Sequence, residues 1–378
     1  MTQLVYLSPV PWFSFSQRPH KFVEWFRAMG GDKVVWVDPY PTRLPKLSDV
    51  RRLRQKSDHG TQQGLPPAWL QLIRPKALPV EPLPVAGWAN RLLWQQNLAA
   101  IESFARKGPT LLVIGKPSLL ALSLLSTRWF KGSVYDSMDH FAAFYSGISR
   151  YVMSQRERAV GARVESLMAS STCLRDHWRT IRSDVALVRN ACDPAVLPPP
   201  REPSRSRGQR PVVGYVGTIG GWFDWDAVKN LARACPDALV RLIGPVAVAV
   251  PNDLPANVEM LPPCAHDAAM RAVAEFDVGL IPFKRNQLTE SVDPIKYYEY
   301  RAMGLPVIST RFGEMQYRAG DSGVFLGDTA DEQRAAAQLA LAFQDDPVAP
   351  LRFRDNQGWT HRFGDSPVAA MMRAGAGS

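Results

Sequence analysis

The chain is short of cysteine and histidine, with four and six in 378 residues. Cys173, Cys192, Cys235 and Cys264 are scattered and form no C-x-x-C pair. That pattern excludes a disulfide framework or a structural zinc site and suits a reducing cytoplasm. Long apolar runs are also missing. The most apolar stretch, TLLVIGKPSLLALSLLS (110–126), is interrupted by Lys116 and Pro117, so no membrane-spanning helix is expected. MTQ leads straight into the strand-like LVYLSPV without a basic n-region or cleavage site, so no signal peptide is expected either. There is no zinc finger, RNP-type aromatic motif or recognisable helix-turn-helix, which sets nucleic acid aside as a partner. Acidic residues are too few to balance the basic ones, 35 against 45, giving a net charge of +10 and a pI near 9.6. The surplus calls for a polyanion: an anionic membrane surface or a phosphorylated substrate.

What is present is a folded, soluble composition, 46% hydrophobic and 21% charged, on a chain long enough for two domains. Strand-like and helix-like segments alternate from the first residues: LVYLSPV, RPHKFVEWFRAM and KVVWVDP, then WANRLLWQQNLAAIESFARK, TLLVIG and GSVYDSMD. This alternation predicts a parallel, doubly wound α/β sheet over residues 1–190. Residues 191–210, with clustered proline, serine and arginine, break the rhythm and read as a linker. A second alternating series fills 211–345, and residues 346–378 are expected to pack back toward the first domain. Two Rossmann-like domains facing across a cleft are predicted, with ligands at the carboxyl ends of the strands.

The segment ESVDPIKYYEYRAMGLPVIST (290–310) reads as a helix from Pro294 to Met303, with Asp293 as N-cap and Gly304 and Pro306 as the stop signal. Lys296 then sits in the first turn, at the positive end of the helix dipole. It is either offset by Asp293 and solvated, or placed there for an anion that also uses the free backbone amides.

GYVGTIGG is a strand followed by a glycine turn in which Gly217 and Thr218 let backbone amides approach a phosphate or sugar. In IPFKRNQLTES, Lys284 and Arg285 follow a strand end and are expected at the rim of the same site, with solvated loop charges as the competing view. YDSMDHF ends a strand of the first domain. A carboxylate at such a strand end can serve as a general base toward a hydroxyl, and Asp139, with Asp136 in reserve, is the expected one. The competing view of Asp139 is a cap for the next helix. Arg18, His20 and Lys21 in FSFSQRPHKF are expected to meet an acceptor pyrophosphate or the donor, or else to pack on a helix surface. No His/Asp/Glu cluster has metal-ligand spacing, so no metal and no cofactor are expected. The basic runs RRLRQK (51–56) and RPHK (18–21) are either solvated helix faces or contacts to an anionic membrane, the former centred on Arg51, Arg52 and Arg54.

FSFSQRPHKF, VYDSMDHFAAF, LVRNACD, GYVGTIGGWFDWDAV, RLIGP and the block from DVGLIPF to PVIST together resemble the GT-B glycosyltransferases. The likeness is greatest to the group-1 (family 4) branch of teichuronic-acid and exopolysaccharide assembly, and it extends to the xanthan-type glucuronosyltransferases. It implies that the second domain binds a nucleotide diphosphate sugar, with Glu299 on the ribose hydroxyls and Lys296 on the diphosphate. Family 4 commonly carries two glutamates separated by seven residues. Counting back from Glu299 puts Ser291 at the first position, with Glu290 adjacent but out of register, so retaining and inverting outcomes both stay open. The resemblance implies a cytoplasmic, metal-independent hexosyltransferase, peripheral to the inner face of the plasma membrane, that moves sugar from a UDP-type donor to a lipid-linked glycan acceptor. A nucleotide-sugar 2-epimerase-like enzyme and a non-catalytic nucleotide-sugar-binding subunit of a polysaccharide assembly complex are the alternatives.

Overall fold

The computed structural model describes residues 1–42, 64–79, 81, 86–200 and 210–376. The run 51–56, and with it the membrane role expected of Arg51, Arg52 and Arg54, lies outside the described residues, as do residues 201–209 of the linker. The chain divides into two compact units. One comprises Met1–Ser170, Leu174–Val188 and Phe363–Ser378; the other comprises Ser171–Cys173 and Arg189–Arg362.

In the first unit β1 (Gln3–Leu7), β2 (Val34–Val37), β3 (Leu70–Ile73), β4 (Thr110–Ile114), β5 (Gly132–Ser137), β6 (Ser166–Ala169) and β7 (Val185–Leu187) form one sheet, ordered β3-β2-β1-β4-β5-β6-β7. Every pairing is parallel. All five residues of β1 and of β4 are buried, as they must be when helices cover both faces of a parallel sheet. The helices are α1 (Arg18–Ala28), α2 (Ala86–Ala105), α3 (Leu119–Leu125), α4 (Gly147–Arg163) and α5 (Thr172–Arg179). On α1, Phe22, Val23, Trp25 and Phe26 are buried, a face whose removal from water stabilises by ~1.5–3 kcal/mol for each large side chain.

The second unit repeats the plan with β8 (Val212–Val216), β9 (Leu239–Ile243), β10 (Val258–Leu261), β11 (Val278–Ile281), β12 (Val307–Ser309) and β13 (Val324–Leu326), ordered β10-β9-β8-β11-β12-β13 and again parallel. Its helices are α6 (Trp225–Ala234), α7 (His266–Ala274), α8 (Ile295–Ala302), α9 (Ala330–Ala342), α10 (Ala349–Asn356) and α11 (Trp359–Gly364), the last two residues of α11 belonging to the first unit. In each sheet the order reverses beside the first strand, between β1 and β4 and between β8 and β11. Such a switch point opens a crevice at the carboxyl ends of the strands.

The C-terminal residues are shared between the units. Phe353 of α10 packs on Tyr297 of α8 at 5.7 Å between ring centroids, inside the second unit. Phe363 packs on Phe22 at 5.1 Å inside the first, where α12 (Pro367–Ala376) brings Met371 against Gly132 of β5. Two strands differ from the sequence expectation. β3 lies within the proline-rich excursion and β13 was not anticipated. Both are three- or four-residue edge strands, too short to show a period. Among the described residues no helix is long and apolar enough to cross a membrane.

Candidate functional site

In the second unit three chain segments meet at the carboxyl ends of β8 and β11. The turn after β8 is pinned to the loop after β11: the Lys284 amide donates to the Trp222 carbonyl at 2.8 Å, and the Asp224 amide to Pro282 at 2.8 Å. The Val216 amide at the end of β8 donates to the Tyr300 hydroxyl of α8 at 3.2 Å. Gly217 and Thr218, Lys284, and the helix carrying Lys296 and Glu299 are therefore brought together within one unit. Close approach explains two glycines. A Cβ on Gly279 would lie 2.2 Å from the Tyr300 ring, and one on Gly244, whose φ is +142°, would lie 2.2 Å from the Gly217 carbonyl oxygen.

Helix α8 starts one residue later than expected, at Ile295, and Pro294 occupies the N-cap with no side-chain cap. Asp293 does not cap it. Its buried carboxylate instead accepts from the Asn190 amide at 2.7 Å, the Tyr298 hydroxyl at 2.9 Å and Arg318 Nη2 at 2.6 Å. The Arg318 guanidinium also lies 3.7 Å from the centroid of the Tyr297 ring. These bonds win because they satisfy a buried charge three times over, which an exposed cap cannot do. The far end follows the expectation. Gly304, at φ +80°, lets the Leu305 amide reach the Tyr300 carbonyl at 3.0 Å.

The first-turn backbone amides of α8 are thus left without a side-chain cap. Lys296 and Glu299 stand on its partly exposed face, Nζ to Oε2 2.8 Å, with side-chain exposures of 25% and 12%. Arg285 is exposed and reaches Asp328 at 3.4 Å, while Lys284 is exposed and Ser291 is buried.

In the first unit the expected acceptor residues separate. Arg18, the first residue of α1, is buried and grips Asp136 of β5 with Nε at 3.1 and 3.0 Å from the two carboxylate oxygens and Nη2 at 2.8 Å. His20 is buried with both ring nitrogens engaged: Nδ1 accepts from the Gln17 amide at 3.2 Å, so Nε2 carries the proton given to the Trp12 carbonyl at 2.9 Å. Burial holds its pKa below the ordinary imidazole value. Lys21 pairs with Glu24 at 2.8 Å on the outside of α1.

Asp139 follows β5 and is partly exposed. Desolvation pushes its carboxyl up to about 7, with Arg18 pulling down and Asp136 pushing up more weakly. It caps nothing: the short 3-10 turn Phe141–Phe144 has His140 as N-cap, with no side-chain cap bond. The amides of Phe141 and Ala142 are bound instead by the buried Glu157 of α4, which also accepts from the Tyr135 hydroxyl at 2.9 Å. Glu157 too is pushed up to about 7, chiefly by burial.

No family model matches the sequence. A Bacillus subtilis (strain 168) protein named as the teichuronic acid biosynthesis glycosyltransferase TuaH is 27% identical over 205 residues, 47% of this chain and 50% of that one, so the match spans about half the length of this curated relative. Among solved structures, the lipopolysaccharide outer core galactosyltransferase WaaB superposes with a TM-score of 0.63 at 12% identity, covering 99% of this chain and 100% of that one. A trehalose-6-phosphate structure from E. coli bound with UDP-2-fluoro glucose gives 0.59 at 12% identity, with 95% and 97% covered. AviGT4, a glycosyltransferase of avilamycin A biosynthesis, gives 0.58 at 12% identity, with 100% and 98% covered. The chain has the GT-B fold. The expected family likeness and the two-domain α/β architecture both stand.

Within this GT-B chain, sequence reasoning missed three residues that hold the candidate groups in place. Asn190 lies in the quoted LVRNACD motif and was legible there as a motif without a role. Arg318 and Glu157 carry no local signal. A basic or acidic residue on an amphipathic segment reads as solvated until the fold buries it.

Proposed function

We propose that this GT-B protein is a glycosyltransferase, a metal-independent hexosyltransferase. It moves a sugar from a nucleotide diphosphate sugar, UDP-linked, to a lipid-linked or polysaccharide acceptor at the inner face of the membrane in bacterial cell-surface glycan synthesis. One observation carries the reading: α8 presents uncapped amides, Lys296 and Glu299 beside the glycine turn 217–218. A diphosphate suits the amides and the ammonium, and a carboxylate one turn on suits the two hydroxyls of a ribose. The UDP-2-fluoro glucose bound to a chain of like fold supports a nucleotide-sugar donor. The name of the relative, matched over half of its length, supports a cell-surface glycan.

In the proposed reaction the bond from the anomeric carbon to the phosphate oxygen breaks, and the acceptor oxygen bonds to that carbon. The electron pair leaves with the nucleoside diphosphate. Lys296, the α8 amides and Arg285 would offset its charge, and Asp139 would take the acceptor proton in an inverting reaction. Arg18 and Asp136 would support Asp139 rather than meet substrate, since each already satisfies the other.

Incubation with UDP-sugars tests the assignment. Slow release of UDP, undiminished by a chelator, is the expected result. Isomerised sugar would show an epimerase, and tight binding without turnover would show a binding subunit.

A further inference from the structure

Two buried tyrosine hydroxyls hold the turn after β8, one from each face of the second sheet. Successive strand residues point to opposite faces. Tyr215 accordingly lies in the core beneath α6 and α9, with Val228 and Ala336, whereas Val216 and Tyr300 lie in the core beneath α7 and α8, with Met270. The Tyr215 hydroxyl donates to the Thr218 carbonyl at 3.0 Å, and the Tyr300 hydroxyl accepts from the Val216 amide at 3.2 Å. Each tyrosine needs a glycine to make its bond. The Tyr300 ring occupies the space that a Cβ on Gly279 would fill, and a Cβ on Gly217, at φ +153°, would stand 2.8 Å from the Tyr215 hydroxyl.

Backbone bonds fix the flanks of the turn. The Gly217 amide donates to the Ile243 carbonyl and the Ile219 amide to the Pro245 carbonyl, both at 2.9 Å. Thr218 stands between them, exposed, and among the described residues its amide donates to nothing; the same holds for the exposed Gly221. A phenylalanine at 215 or 300 would fill the same core space without the cost of burying a hydroxyl. What the hydroxyls add is the orientation of the turn. Amides held in place before a phosphate arrives bind it without a further ordering cost, and successive backbone N–H groups in a turn make an anion-binding concavity.

We infer that Tyr215 and Tyr300 are positioning residues, which fix the turn 217–221 so that the Thr218 and Gly221 amides meet the diphosphate of the donor. The inference rests on the reading of this turn and α8 as the donor site. It divides the work there: Lys296 supplies charge, and the turn, aimed by two hydroxyls that touch no substrate, supplies direction.

Titration of the wild type, Tyr215→Phe and Tyr300→Phe with UDP by calorimetry and with uridine by ligand-observed NMR tests it, with urea midpoints measured alongside. The ratio of the two affinities reads the diphosphate alone. Each variant keeps its ring and should lower that ratio about tenfold, with uridine affinity within about twofold of the wild type. A wild-type ratio in both variants would show that the hydroxyls serve the fold alone, overturning the inference and leaving the donor site in place. So would an equal loss for uridine and UDP, since the variants would then act on the whole unit. A wild type that binds UDP no better than uridine would sink the donor site itself, and the inference with it.

Discussion

Lys296 and Glu299 bond to each other across one turn of α8, Nζ to Oε2 2.8 Å, on the partly exposed face of that helix. A pair at three-residue spacing in partial contact with water contributes only ~0.2–0.5 kcal/mol to stability. The helix is held instead by groups turned away from it, namely Asp293 with Arg318 and Tyr298, and Tyr300 against β8. Binding and folding are therefore separable at this site.

The first prediction uses that separation. Lys296→Ala and Glu299→Ala should each shift urea unfolding by no more than ~0.5 kcal/mol. Each should weaken UDP binding by ~1–3 kcal/mol, the worth of a lost hydrogen bond to a charged group. Calorimetry that finds the wild-type affinity in both variants removes the donor site from α8.

A second prediction concerns Arg18 and Asp136, which bury their charges against each other, with side-chain exposures of 4% and 0%. Removing one partner strands the other charge away from water, so Arg18→Ala should cost ~3–5 kcal/mol of stability. Arg18→Met/Asp136→Leu, which removes both charges and keeps volume, should recover most of that loss. Urea titration of the single and double variants measures it. A single variant as stable as the wild type would return Arg18 to the list of acceptor ligands.

Much of the fold was legible in the sequence because period and punctuation carry it. LVYLS, TLLVI and VVGYV are continuous apolar runs of the kind a parallel sheet buries on both faces, and Gly304 marks the end of α8. The rest was illegible for stated physical reasons. Asp293 before Pro294 has the local chemistry of a cap, and only the distant Asn190 and Arg318 draw its carboxylate elsewhere. His20 and Arg18 read as cleft residues because they follow a strand. Their partners, Trp12 and Asp136, are supplied by segments that local pattern cannot place beside them. The positions of Lys296 in the first turn of α8 and of Gly217 and Thr218 after β8 follow from local rules, whereas the role expected of Glu299, one turn further on, rests on the family resemblance alone.

A third prediction follows from Glu157. Burial raises its carboxyl to about 7, above the value it takes in the unfolded chain, so the folded protein holds a proton that the unfolded protein releases. The resulting stability is fully present below the unfolded value, near 4.5. It is lost as pH rises through about 7, where the charged form must be buried. Glu157→Gln keeps an acceptor for the Phe141 and Ala142 amides and removes the titration. The variant should lose less stability than the wild type between pH 5 and pH 8, as read by thermal unfolding at each pH. Parallel profiles for the two proteins would mean that Glu157 is ionised in the fold.

The last prediction concerns the proposed base. Desolvation pushes the Asp139 carboxyl up to about 7, so the carboxylate that can accept a proton from the acceptor hydroxyl forms as pH rises through that range. Sugar transfer should therefore rise with pH through about 7. Asp139→Asn keeps the shape and loses the base. It should retain UDP affinity while transfer falls by ~100- to 10,000-fold and the remaining activity loses that pH step. Asp136→Asn should act differently, through stability, because Asp136 is committed to Arg18. The two variants are separated by measuring transfer rate and urea midpoint in parallel. Near wild-type transfer by Asp139→Asn would place the proton elsewhere. The departing phosphate oxygen would then be its acceptor, as a retaining reaction allows, and the product anomer would be the next quantity to determine.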